Sequence, residues 1–236
     1  MWAAKSAEVG NCVGYLGRLS SVFMIPAMPR AVPDPPPGQC DRVGAMIDEL
    51  LDDPRSPALV AEYYDPAKNF VGMTFLDLAP NDPFAFGPSD LYAVTLLLPK
   101  RYLGVSIACR LLPGGDLAVH ASALLARIPV GVPIWDATER DLEWAYELWL
   151  LLCSIDRVGS TAAGKLLARK RPECIPIIDR VLRTRLACEQ DTYWKTFRCI
   201  LQDPARRAKI SALAPHIPEL RVLDTLMWMH WRQPNN

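Results

Sequence analysis

Apolar positions along this chain recur with a helical period almost wherever they recur at all. Val43, Met46, Ile47, Leu50 and Leu51 fall at i, i+3, i+4, i+7 and i+8, which predicts an amphipathic helix over residues 39–53, closed by Pro54. Pro57 opens a short helix to Tyr64. Asp136, with Glu139 three residues on, gives a capping-box-like start to a long helix ending at Cys153. Its predicted buried stripe is Leu142, Ala145, Tyr146, Trp149, Leu150 and Cys153, with Trp144 off the stripe. Ser89 is placed to cap a helix over 90–98, Asp116 one running to Arg127, and Asp191 one that turns Trp194, Phe197, Ile200 and Leu201 inward. Asp203-Pro204 and Pro218 start two more, the last with Leu220, Leu223, Leu226, Met227 and His230 on one face. Residues 102–112 fit a strand or a helix. No βαβ alternation and no internal repeat occurs, so the predicted class is an all-α globular fold.

The breaks between helices organise the chain. Six prolines between Pro26 and Gly38 exclude a helix there, and residues 1–38 read as a disordered Pro-rich leader. Its apolar start is interrupted by Arg18 and two glycines, unlike a signal peptide. Residues 39–236 read as a single all-α domain, with an acidic half over 39–135 and a basic half over 136–236. Residues 63–90 form a loop-like run rich in proline, aspartate and aromatics. Tyr63, Tyr64, Phe70, Phe75, Phe84 and Phe86 are placed either to line a pocket or to staple the loop to the core.

Charge changes this picture only locally. Lysines and arginines balance acids at 26 each, so no global field selects nucleic acid as a partner. Residues 34–99 nevertheless hold eleven acids against three bases, and residues 157–209 thirteen bases against five acids. Such asymmetry suggests an anion-binding face on the C-terminal half, or merely solvated helix faces. Seven cysteines, odd in number and without CxxC spacing, read as reduced thiols in a cytoplasmic protein. The three histidines lack metal-site spacing, and the reading implies no cofactor. No apolar run is long enough to span a bilayer.

Candidate chemistry concentrates in residues 156–186, DRVGSTAAGKLLARKRPECIPIIDRVLRTRL. The pattern predicts a tight turn at Val158-Gly159-Ser160, a short helix with Ala162, Ala163, Leu166 and Leu167 inward, a loop stiffened by Pro172 and Pro176, and a helix opening at Asp179. Thr161, Lys165 and Arg169 fall on another face at i, i+4 and i+8. A turn that presents backbone N–H groups ahead of a basic helix is a way to hold a phosphate.

This stretch, RVGSTAAGKLL followed by IPIIDRVLRTRL, resembles the helix-hairpin-helix DNA glycosylase superfamily over about thirty residues. The chain also resembles an uncharacterised bacterial family that shares YYDP, TFLxL with NDP, KLLARKRP with IP, and LRVLDxxxWM, over about residues 39–231. The superfamily hairpin usually has two glycines. Here Arg157 stands at the first and Gly159 at the second. The resemblance implies double-stranded DNA as partner, with phosphate or groove contacts from Arg157, Val158, Gly159, Ser160, Thr161, Arg169, Lys170, Arg171, Arg180 and Arg183. Thr161 occupies the slot where strand-cleaving members carry a Schiff-base lysine, and Lys165 lies one turn further along. Asp179, following Pro176 and opening an arginine-rich helix, matches the catalytic aspartate.

The residues leave two roles open for Asp179, helix cap and catalytic carboxylate. Lys165 is a weaker candidate, because a nucleophilic amine needs burial or a nearby cation. Trp135 and Trp144, with the aromatics of residues 63–86, are suppliers for a base pocket. The expected function is a monofunctional DNA N-glycosylase. Its rivals are a non-catalytic DNA-binding module and a helical protein- or ligand-binding domain.

Overall fold

The computed structural model describes residues 26–98, 103, 105–188 and 192–232. The described residues contain twelve helices and no strand, so the protein is all-α. None of these helices is long and apolar enough to cross a membrane. In order they are α1 (Gln39–Asp52), α2 (Ser56–Tyr64), α3 (Gly72–Asp77), α4 (Pro88–Leu96), α5 (Val105–Leu111), α6 (Ala118–Leu125), α7 (Glu139–Cys153), α8 (Ser160–Lys170), α9 (Arg180–Leu186), α10 (Tyr193–Ile200), α11 (Pro204–Leu213) and α12 (Glu219–Trp231).

Two helices are buried nearly all round and act as axles. α12 packs against α1, α2, α9 and α11, and all its residues from Leu220 to Met227 are buried. α8 lies between α4 and α7, and every residue from Ala162 to Lys170 is buried. A helix surrounded on all sides cannot keep a solvated face. That corrects the expectation of an outward Lys165–Arg169 face. The stripe of α7 is likewise rotated from the predicted one: Trp144, Leu148, Leu151 and Leu152 are buried, and Tyr146, Trp149 and Cys153 only partly so. Trp144 goes inward because α6 and α8 both pack on α7, which widens its covered arc.

Several predicted starts shift by a residue or two. The capping box of α7 uses Thr138 and Asp141, not Asp136 and Glu139. α4 starts at Gly87-Pro88, with Asp90 accepting the Gly87 N–H, while Ser89 donates to the Pro80 carbonyl. Asp116 pairs with Arg110 instead of capping α6. Asp203 caps α11 as expected, and Asp191 lies outside the described residues. The six-residue α3 falls within the run read as loop.

Helix C-termini are closed by arginines from elsewhere in the chain. The last carbonyls of a helix have no intrahelical partner and carry partial negative charge. Arg169 donates to the carbonyls of Phe75, Leu76 and Leu78 at the end of α3. Arg171 donates to Leu125 and Ile128 at the end of α6. Arg42 does the same for Leu186 and Ala187 of α9, and Arg206 and Arg207 for Ile200, Leu201 and Gln202 of α10.

The charge asymmetry of the sequence resolves into pairs across the fold. Acids of the N-terminal half meet bases of the C-terminal half: Asp34–Lys195 at 2.7 Å, Asp48–Arg206 at 2.8 Å and Asp52–Lys209 at 2.5 Å. The buried version joins Asp90 of α4 to Arg169 at 2.8 Å and Lys170 at 2.6 Å of α8. Part of the expected leader is also held. Arg30 forms a two-pronged pair with Glu147 of α7 at 2.8 and 2.9 Å, and Val32 is buried. Over residues 26–38 this corrects the expectation of disorder, and residues 1–25 lie outside the described residues.

Two stability measurements follow. Asp90→Ala leaves two buried cations without their carboxylate and is expected to lower the unfolding free energy by about 3–5 kcal/mol, read from urea midpoints. Arg157 adopts a left-handed conformation, φ 65°, that L-residues resist. Arg157→Gly relieves about 1–2 kcal/mol of strain against about 0.5–1 kcal/mol of added chain entropy, so the variant should unfold at a slightly higher urea concentration.

Candidate functional site

α12 is an apolar helix with a polar interruption at fixed spacing. Arg221, Asp224, Thr225 and Trp228 fall at i, i+3, i+4 and i+7, so they share one face. That face forms one wall of a cavity of about 530 Å³. α8 contributes Lys165, the start of α9 contributes Asp179, and α4 contributes Leu96 and Leu97. The remaining lining is largely aromatic: Tyr63 and Tyr64 at the end of α2, Phe70 in the following loop, and Phe75 of α3.

The aromatic wall is built by mutual packing. Tyr63 stacks on Phe70 with centroids 5.1 Å apart, and Trp228 meets both edge-on at 5.9 and 6.1 Å. The Arg232 guanidinium sits over Phe70 at 4.9 Å and Trp228 at 5.3 Å, a cation–π arrangement. The Tyr64 hydroxyl lies 3.0 Å from Thr225 Oγ1 and donates to the Arg221 carbonyl. Gly72 is required here, because a Cβ at that position would lie 2.2 Å from the Tyr63 ring.

The polar wall is electrostatically unusual. Lys165 is 6% exposed and donates to the Leu97 carbonyl at 2.7 Å. Burial lowers its pKa to about 8, against the opposing pull of Asp179 and Asp224. Asp179 is the N-cap of α9, accepting the Leu182 N–H at 3.0 Å on Oδ1. Asp224 accepts the Ile177 N–H at 3.0 Å and pairs with Arg221 at 2.9 Å. Burial nevertheless pushes its carboxyl up to about 7, outweighing Arg221 and the Ile177 amide. Burial thus pushes both Lys165 and Asp224 toward their neutral forms, and at Asp224 the Arg221 pairing opposes that push.

The structure sorts the sequence candidates. Asp179 and Lys165 share the cavity, and four of the six aromatics line it. Phe84 and Phe86 do not; they lie beside Arg171 and Lys170. Trp135 and Trp144 also lie elsewhere, against Arg207 and Arg127. Arg169, Lys170 and Arg171, expected at nucleic-acid backbone, are instead buried. Their donors meet Asp90, Asn81 and backbone carbonyls of residues 75–83, 125, 128 and 170. Val158 is buried as well, and its N–H donates to the Ile155 carbonyl at 3.0 Å. Arg157, Gly159, Arg180 and Arg183 are exposed, with Ser160 and Thr161 half-buried. Gly159 is the N-cap of α8 in an extended conformation, with open space where its Cβ would be. Sequence reasoning missed Arg221, Asp224, Thr225 and Trp228, although their helical spacing within an apolar helix is a signal for them.

The Lys165 shift sets a pH dependence. Between about 8 and 10.5 the unfolded chain keeps the lysine proton and the folded protein releases it, so stability rises with pH across that window. Lys165→Met should abolish that component of the rise and stabilise the protein at pH 7, as read from urea midpoints at half-unit pH steps.

A family model described as a family of unknown function (DUF6308) matches residues 56–231, about three quarters of the chain. No curated protein and no solved structure matches the chain. The matched region contains every cavity residue except Arg232. With this extent of match, the chain belongs to the DUF6308 family.

Proposed function

We propose that the protein is a monofunctional N-glycosylase that receives a base turned out of double-stranded DNA, with Asp179 as its catalytic carboxylate. One observation carries the reading: Asp179 and Lys165, on different helices, line the same aromatic-walled cavity. Tyr63, Phe70 and Trp228 line the cavity, and an aromatic lining suits a planar heterocycle. Asp179 sits where a carboxylate offsets positive charge developing on the sugar, and accepts a proton from the water that adds to C1′. As the glycosidic bond breaks, its electron pair goes to the base nitrogen. The Lys165 ammonium is suited to hydrogen-bond the leaving base.

The turn between α7 and α8 supports a hairpin of the helix-hairpin-helix kind. Arg157 takes the left-handed conformation at the position where the superfamily has glycine, and Gly159 leaves its face open. Arg157, Arg180 and Arg183 are the exposed cations among the expected contacts. A second reading, that the cavity takes a free small ligand and no nucleic acid, is favoured by the burial of Arg169, Lys170 and Arg171.

Duplexes carrying single uracil, hypoxanthine, oxidised guanine or alkylated adenine should include one from which free base is released. Asp179→Asn should slow that release by about 10²–10³-fold. A folded Asp179→Asn protein working at the full rate removes the catalytic assignment. Binding to duplex should weaken with salt, and Arg180→Ala should reduce the log–log slope by about one unit. An absence of duplex binding at low salt selects the small-ligand reading.

A further inference from the structure

The segment that presents Asp179 is gripped from α12. Arg221 Nη2 donates to the Ile175 carbonyl, and Asp224 Oδ2 accepts the Ile177 N–H at 3.0 Å. The two side chains pair with each other at 2.9 Å. The Tyr193 hydroxyl adds a bond to the Ile177 carbonyl at 3.4 Å. The backbone is thus fixed on either side of Pro176, three residues before Asp179.

Packing alone does not call for this pair. Ile175 and Ile178 are already buried and anchor the segment by their side chains. Arg221 and Asp224 are themselves 3% and 8% exposed, and Arg221 Nε and Nη1 and Asp224 Oδ1 have no hydrogen-bond partner among the described residues. A buried ion pair with unspent donors is a costlier way to fill space than two apolar side chains. Its directional bonds do what apolar contacts cannot: they select one peptide register and one orientation for the residues that follow.

We infer that Arg221 and Asp224 are positioning residues that set the backbone at Ile175 and Ile177 so that Asp179 faces the cavity beside Lys165. Their effect on rate rests on the glycosylase reading; their effect on the segment does not. A small displacement of a reacting carboxylate is enough to lose most of its contribution.

The test compares Arg221→Met/Asp224→Leu, which removes both polar groups and keeps bulk, with Asp224→Asn, which keeps an oxygen for the Ile177 N–H. Amide hydrogen exchange across residues 175–182 is read by NMR, in parallel with base release from the duplex panel. The double variant should exchange the Ile177 amide at least about tenfold faster than wild type, with α7 amides unchanged. Its kcat should fall by about 100-fold with little change in KM, and Asp224→Asn should recover most of that loss. Unchanged exchange at Ile177 in a folded double variant overturns the inference whatever the activity. Faster exchange, in a protein whose wild type releases no base, retires the glycosylase reading and leaves the positioning pair standing. If the double variant does not fold, wild type decides: an Ile177 amide exchanging at the rate of a free peptide overturns the inference, and a protected one supports it.

Discussion

Asp90 is the carboxylate on which the two halves of the fold close. It lies between Arg169 and Lys170 with both cations out of water, and a lone buried charge in either half would be strongly unfavourable. The two cations also reach backbone carbonyls of residues 75–82, so the same contact holds α3 and α4 against α8. α3 and α4 supply Phe75, Leu76, Leu96 and Leu97 to the cavity, and α8 supplies Lys165. The cavity walls are therefore referenced to one another through a contact that is not itself part of the cavity.

Electrostatics in this protein is mostly structural. Acids concentrated early in the chain and bases concentrated late pair across the fold. Arginines complete helix ends that have no glycine cap, and their planar donors suit the several carbonyls converging at such an end. What remains outward from the stretch with candidate chemistry is the turn at Arg157 and the face of α9. The surface available to a polyanion is correspondingly smaller than the basic composition of that half suggests.

Much of the helical architecture was legible because it rests on local rules. Period, proline position and the aspartates at residues 179 and 203 mark helix starts through chemistry confined to one turn. The fate of Arg169, Lys170 and Arg171 was not legible. A basic run at the end of a short helix looks solvated until the loop carbonyls it serves are brought near by the fold. Trp144 was misplaced for a related reason, since the covered arc of α7 depends on how many helices pack on it. At the cavity, Asp179 and Lys165 could be singled out within one stretch. Arg221 and Asp224 lie some forty residues further on and acquire a role only through contact with Ile175 and Ile177.

Gly72 carries a consequence of its own. Its missing side chain is the room that the Tyr63 ring occupies against the start of α3. Even one methyl group there would force either the phenol or the start of α3 to shift, disturbing the stack with Phe70 at the edge of the void that both rings border. The width of the chamber is thus governed by an atom the protein does without, and a relative with alanine at this point would need a smaller partner at residue 63 to keep the same bore.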